Sequence, residues 1–267
     1  MQKNCHLASF DVKSLFTNIP LEETISICID ELFQDQEILF GFSKKQFRKL
    51  LSLSVYDCFF LFNKQMWTQT DGVAMGSPLG PTLANVFLSF HEKKWLEECP
   101  EDFKPLFYRR YVDDAFVVFR ESEHVQQFLT YLNSKHRNIE FTFESECDGK
   151  IPFLDVNVEK CNGSLSTSIY RKPTFTGLST KFSSFIPISY KRNLVLTIVT
   201  RAFNICSSYV NLHHELQFIK QFLFNNGFNY RFVDTYIGKQ LTRSLTPREP
   251  TVTVKKSHSL FLDTIHG

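Results

Sequence analysis

Apolar and polar positions follow two rhythms along this chain. Up to about residue 185 short alternating runs mix with helical stripes. Leu7 to Phe10 is an apolar run that predicts a strand ending at Asp11. Pro20, followed by Glu22 and Glu23, predicts a helix start, since acids suit its positive end, and Ile25, Ile29 and Leu32 give its inner face. Ser43 and Gln46 have capping-box spacing before a second helix with Phe47, Leu50 and Leu51. Phe59–Phe62 and Gln65–Gln69 predict two strands joined by Asn63-Lys64. Leu79, Leu83, Val86, Phe87 and Phe90 lie at helical spacing between Pro78 and Phe90. Phe107–Val112 and Ala115–Phe119 predict strands that flank Asp113-Asp114. Val125, Phe128, Leu129 and Leu132 mark a helix, and Ile139, Phe141 and Phe143 alternate as a strand. Phe153–Val158 and Leu165–Tyr170 predict a hairpin around Asn162-Gly163.

Beyond residue 185 the pattern is helical. One stripe is Leu194, Ile198, Ala202 and Ile205; a second is Leu212, Leu216, Ile219 and Leu223, ended by Asn226-Gly227. Tyr230, Val233 and Ile237 begin a third, and the Thr-, Ser-, Lys- and Pro-rich tail from Thr242 to residue 267 is expected to be disordered. The class is therefore α+β in residues 1–185, then helical in 186–241.

Composition changes this picture little. Of 267 residues 43% are hydrophobic and 22% charged, enough for a core and against wholesale disorder. The 29 phenylalanines are expected mostly inside. A formal charge of +2 neither requires nor excludes nucleic acid. The pairs Arg109-Arg110, Arg171-Lys172, Lys191-Arg192 and Lys255-Lys256 fit either a solvated surface or local phosphate contacts. Seven cysteines without CxxC or Cys/His spacing point to a reducing, intracellular setting rather than a disulfide framework or zinc finger. No stretch reads as a secretion signal or a membrane span, so no membrane partner is expected.

Three carboxylates carry the candidate chemistry. Asp113 and Asp114 lie between apolar strands that would mount them rigidly. Turn aspartates often serve the local backbone; a rigid pair also suits Mg2+, which prefers oxygen ligands. If the strand ending at Asp11 pairs beside that turn, Asp11 and Asp113 can hold two ions about 3.5–4 Å apart. Asp11 as a simple cap is the alternative. Phe16 fits either core packing or a wall against a sugar 2′-hydroxyl. Gly72 to Pro81 fits either an ordinary turn before a helix or a surface where nucleotide and template stack.

Taken together, the segments resemble the ordered motifs of reverse transcriptases. Ser9-Phe10-Asp11-Val12-Lys13-Ser14-Leu15-Phe16-Thr17-Asn18-Ile19-Pro20 resembles the first catalytic motif, Gly72 to Pro81 with Ala84-Asn85 the second, and Tyr111-Val112-Asp113-Asp114 the third. Ile151 to Val156 and Tyr170 to Thr174 resemble segments after the palm in Penelope-like retroelements, and the wording from Asp11 to Pro20 is characteristic of that group. The resemblance covers roughly residues 5–240.

It implies a polymerase palm, an antiparallel sheet backed by helices, then a helical, helix-turn-helix-like thumb. It implies RNA-directed DNA synthesis by two Mg2+ ions, or Mn2+, held by Asp11, Asp113 and Asp114. Phe16, Met75, Gly76, Ser77 and Pro78 would meet the nucleotide or template. Phe153, Leu154, Asp155, Arg171, Lys172, Lys191 and Arg192 would meet the primer. The partners would be a primed RNA or DNA template and deoxynucleoside triphosphates, and the location nuclear. On the same resemblance the basic fingers region and the carboxy-terminal endonuclease of such elements are absent, and the family's Asn-Gly turn is Asn63-Lys64. The chain then reads as a palm and partial-thumb fragment, and a catalytically silent relic that only binds nucleic acid is the alternative. A separate helical DNA-binding module in residues 189–241 is a third.

Overall fold

The computed structural model describes residues 5–246 apart from 35, 57 and 162. The first of two compact units, Met1–Pro173, contains β1 (His6–Val12), α1 (Leu15–Asn18), α2 (Leu21–Phe33), β2 (Ile38–Leu39), β3 (Phe42–Ser43), α3 (Lys44–Val55), β4 (Phe59–Phe62), β5 (Gln65–Thr68), α4 (Gly80–Glu97), β6 (Phe107–Tyr111), β7 (Asp114–Phe119), α5 (Glu123–Asn133), β8 (Phe141–Ser145), β9 (Lys150–Phe153), β10 (Val156–Cys161) and β11 (Ser164–Ile169). The second, Thr174–Gly267, contains α6 (Ile188–Ile205), α7 (Tyr209–Asn225) and α8 (Tyr230–Leu245).

The central sheet is antiparallel, with strand order β6-β7-β1-β8. Strand side chains alternate between faces. Ala8, Phe10 and Val12 of β1 and Ala115, Val117 and Phe119 of β7 fall on one face, in a core they share with α2, α4 and α5. Phe10 is the hub, with ring centroids 5.6 Å from Phe128, 5.9 Å from Phe143 and 6.2 Å from Phe119. Leu7 and Val118 point to the opposite face and pack on Ile151 and Val158 of the three-stranded sheet β11-β10-β9. That second layer covers only one end of the face. The other end carries Asp11, which is exposed.

Local signals act where the chain pattern placed them. Ser43 and Gln46 form the full capping box of α3. Asn63 and Lys64 both take positive φ, 49° and 63°, as a tight hairpin turn between β4 and β5 requires. Asn226 caps α7 before Gly227 at φ 84°.

Elsewhere the structure corrects the expectations. Residues 153–158 are not one strand: Leu154 has φ 54°, and Phe153 pairs with Val156 across a two-residue turn, giving β9 its own place. The helix expected from Pro78 begins at Gly80, and Phe90 on it is exposed. In α6 the buried stripe is Val195, Val199 and Ala202 rather than Leu194, Ile198 and Ile205. Helix α8 runs through Thr242 to Leu245, so the tail does not begin at 242; its residues from 247, with Lys255-Lys256, lie outside the described residues, as does Asn162. The units divide at Pro173 rather than near 185, because the intervening segment is bound to the helices: Ser179 and Phe182 backbone N–H groups donate to Asn226, and the Phe182 ring lies 5.1 Å from Phe228. Among the described residues no helix is long and apolar enough to cross a membrane.

One close approach fixes the loop before α4. Gly72 has φ 75°, and a Cβ there would lie 2.5 Å from the Thr17 carbonyl oxygen, while the Val73 N–H donates to Phe16 O at 2.6 Å. Gly72→Ala is expected to cost about 1–3 kcal/mol through strain and backbone contact. Urea unfolding checks this, and an unchanged midpoint would show that the loop is not held against α1.

Candidate active site

The acidic corner follows from register. Asp11 on β1 pairs directly with Asp114 on β7, and with Thr142 on β8. Opposed residues in an antiparallel pair project from the same face, so Asp11 and Asp114 share the open face with Ser9 and Glu144. Asp113 sits in the turn that feeds β7, and its carbonyl accepts a hydrogen bond from Val12 N–H at 3.1 Å. The turn is tight: Val112, β-branched, has φ 58°.

Like charges crowd here. Partial loss of hydration, then Asp113 and Glu144, hold the Asp11 carboxyl above its ordinary pKa. Loss of hydration, then Asp113 and Asp11, raise Asp114, while Lys172 pulls it down. Among the described residues Glu23, His91 and His136 form the one group of three ligating side chains whose ligand atoms lie within 4.8 Å of one another. Carboxylates that repel one another, all offering hard oxygen donors on an open face, fit a divalent cation of the Mg2+ type.

The remaining sequence candidates fall in several places. Phe16 in α1 is half-buried against the core beside the Gly72–Val73 backbone, and Gly80 is so close that an added Cβ would meet Phe16 and Val73. Met75 is 78% exposed, Gly76 has φ 89°, and Ser77 N–H closes the turn on Ala74 O at 3.1 Å, with Pro78 following before α4. Phe153 packs on Phe116 of the open face at 5.5 Å. Leu154 is exposed, and the Asp155 carbonyl accepts from Tyr170 N–H, which leads to Arg171 and Lys172. Lys191 and Arg192 belong to the second unit. Lys191 is buried, its ammonium 4.8 Å from the Phe182 ring, and Arg192 Nε is buried without a hydrogen-bond partner among the described residues. Their accessibility is thus less than a surface basic pair suggests.

Sequence reasoning missed what holds the turn from behind. Arg110 and Tyr108 of β6 point to the helix face, the opposite parity from Asp114. There Arg110 Nε donates to both oxygens of buried Glu92 on α4 at 2.7 Å, and Tyr108 donates to the same carboxylate. The guanidinium then reaches forward: Nη1 donates to the Val112 carbonyl at 2.8 Å and Nη2 to Ser89 Oγ at 3.1 Å. Burial pushes Glu92 upward in pKa, with Arg110 opposing it, and pushes the Tyr108 hydroxyl well above its usual range. A Glu in the middle of an otherwise apolar helix face was the available signal, since buried Glu occurs almost only when paired.

Known proteins supply the comparison. Residues 1–171 match the family model described as reverse transcriptase (RNA-dependent DNA polymerase), and residues 178–238 match the animal helix-turn-helix domain. No curated protein matches the chain. Telomerase from Candida albicans, in complex with a TWJ fragment of telomeric RNA, is similar in structure with a TM-score of 0.57 at 14% identity, over 90% of this chain and 40% of that one. Sicinivirus 3Dpol, an RNA-dependent RNA polymerase, is similar with a TM-score of 0.52 at 14% identity, over 89% of this chain and 52% of that one. Telomerase from Candida tropicalis, also with a TWJ fragment, has a TM-score of 0.51 at 12% identity, over 90% of this chain and 41% of that one. At such identities the likeness is one of fold, a mixed α+β polymerase palm. The chain spans about half or less of the length of these structures.

Two consequences are measurable. Removing Glu92 leaves Arg110 buried and unpaired, so Glu92→Ala should cost about 3–5 kcal/mol in chemical denaturation; a loss below about 1 kcal/mol would mean the pair does not anchor the turn. Raised carboxyl values mean that the fold favours the protonated forms, so stability falls as pH rises through those raised values. Asp11→Asn escapes that loss. In chelator at pH 7 it should melt on the order of 1–2 °C higher than the parent, a small gain because the corner is solvent-screened. The gain should vanish below the ordinary carboxylate range, and one that persists there would point to packing instead of charge.

Proposed function

The chain belongs to the reverse transcriptase (RNA-dependent DNA polymerase) family, and from that premise we propose that it is the polymerase module of a retroelement that adds deoxynucleotides to a primer 3′-hydroxyl. The observation that carries this is the β1–β7 register, which sets Asp11 opposite Asp114 with Asp113 in the adjoining turn.

Asp11, Asp113 and Asp114 would hold two Mg2+ ions, or Mn2+. When bound, such ions lower the pKa of an attacking hydroxyl and neutralise the leaving pyrophosphate. The chain's own residues supply position. The β6–β7 turn, pinned by Arg110 and by Val12 N–H, keeps the aspartates at one place on a rigid sheet. Phe16, fixed by the Gly72–Val73 backbone, would exclude a 2′-hydroxyl. Met75, Gly76, Ser77 and Pro78 would offer an exposed turn on which nucleotide and template bases stack. Phe153, Leu154 and Asp155, at the β9–β10 turn, with Arg171 and Lys172, would receive the primer strand.

The three-helix segment matched by the helix-turn-helix model would serve as a thumb on the duplex backbone, and Lys191 and Arg192 would contribute to it on rotation of their side chains. The wording from Asp11 to Pro20, with Ile151–Val156 and Tyr170–Thr174, supports the Penelope-like group. A nuclear site of action follows from the life cycle of such an element.

Primer extension on a primed RNA template with Mg2+ and deoxynucleotides tests the proposal. Asp113→Ala should reduce extension by on the order of 10²–10³-fold or more. Intact extension in that variant would sink the assignment. If the parent chain itself extends nothing, a salt titration of template–primer binding separates two cases. A steep negative slope fits a silent relic that grips phosphates, and no binding at low salt removes nucleic acid from the function.

A further inference from the structure

A second group of ligating side chains lies within the first unit and plays no part in the aspartate corner. Glu23 in the first turn of α2, His91 in α4 and His136 just beyond α5 bring one ligand atom each within 4.8 Å of the others. His91 Nε2 is 3.0 Å from Glu23 Oε1, and His136 Nε2 is 3.2 Å from Glu23 Oε2. We propose that these three residues bind a transition-metal ion of the Zn2+ class, distinct from the Mg2+-type site, and that the ion ties α2, α4 and the segment after α5 together.

The donor set decides the ion. Two imidazoles and one carboxylate suit Zn2+ or its neighbours, whereas Mg2+ prefers oxygen alone. Three protein ligands leave a further position for water. An entry path exists: Glu23 also lines an open cleft with Pro20, Glu22, Tyr56, Asp71 and Arg137. The rings are already mounted. His91 stacks on Trp95 at 5.3 Å and meets the Phe87 ring edge-on at 4.7 Å, and His136 meets Phe87 at 5.3 Å. Both imidazoles are largely shielded, with side chains 14% and 13% exposed, while the Glu23 carboxylate side is 41% exposed toward the cleft.

Without metal the carboxylate bridges the two rings. Asn138 N–H donates to His136 Nδ1 at 3.2 Å, so the His136 proton sits on Nε2 and is donated to Glu23. Metal binding at Nε2 displaces that proton. The ring then carries its proton on Nδ1, and the Asn138 contact is given up. A tetrahedral ion with bonds of about 2.0–2.1 Å needs its ligand atoms about 3.3–3.5 Å apart, and the 3.0 and 3.2 Å contacts of the two imidazoles with Glu23 are already near that spacing.

The test uses the full chain carrying Asp113→Asn, which weakens the aspartate corner, after stripping with chelator. Zn2+ should bind at about one equivalent and raise the melting temperature. Co2+ should give the visible absorption of a low-coordinate nitrogen–oxygen site without a thiolate charge-transfer band. Glu23→Gln and His136→Gln should each weaken binding by on the order of 10²-fold and abolish the melting shift. Absence of tight binding in the parent, binding in both variants as tight as in the parent, or a thiolate band that assigns the metal to cysteines would each overturn the site. Should a variant fail to fold, histidine NMR of the stripped parent decides: Zn2+ must shift two imidazole signals, and unchanged signals refute the proposal.

Discussion

Antiparallel pairing of β1 between β7 and β8 is the constraint on which the rest depends. It fixes side-chain parity in three strands at once. Phe10 enters the core because Asp11, its neighbour, leaves it, and Ala115 and Asp114 divide the same way across the ladder. A slip of one residue would bury the carboxylates and expose the phenylalanines. The aromatic cluster around Phe10, Phe119 and Phe128 therefore holds more than a core. By locking register it holds together charges that electrostatics drives apart. Local instability at this acidic corner is tolerated because apolar burial elsewhere exceeds it.

Much of this was legible along the chain, and the reason is locality. The capping box of Ser43 and Gln46, the Asn63-Lys64 turn, the α5 stripe and the β6–β7 hairpin each depend on residues a few positions apart. Asp11 beside Asp114 is separated by about a hundred residues, and periodicity alone left that pairing open; motif order suggested it. What stayed hidden depends on partners from other elements. Glu92 lies past the stretch whose spacing predicts the helix, and its role depends on Arg110 and Tyr108 from another element. His91 and His136 carry no metal spacing in sequence, since their shared partner, Glu23, comes from another helix. The strand β9 was hidden because apolar residues run on through the turn at Leu154. The α6 stripe shifted by one position because several adjacent residues are apolar and only packing chooses among them.

The second unit shows the same limit from the other side. Its three helices were evident from spacing, and the match to an animal helix-turn-helix domain spans residues 178–238, taking in the first two and the start of the third. Yet Lys191, which composition marks as a surface charge, is buried with its ammonium over the Phe182 ring. An aliphatic stem and a ring face can accommodate a lysine that charge counting places in water. Basic pairs are therefore weaker guides to a nucleic-acid surface here than the sheet parity is to the acidic one.

Val112 draws these strands together. A β-branched residue at φ 58° costs on the order of 1–3 kcal/mol, and such strain persists only where the surroundings over-determine it. Two bonds do so: Arg110 holds the Val112 carbonyl from the helix side, and Val12 N–H holds the Asp113 carbonyl from the neighbouring strand. The first depends on a buried ion pair, which is a poor source of net stability. Its place behind the turn is better explained by position. A fixed guanidinium gives the turn one geometry, where an apolar filler of equal volume would leave the carbonyl unsatisfied and the aspartates free to separate.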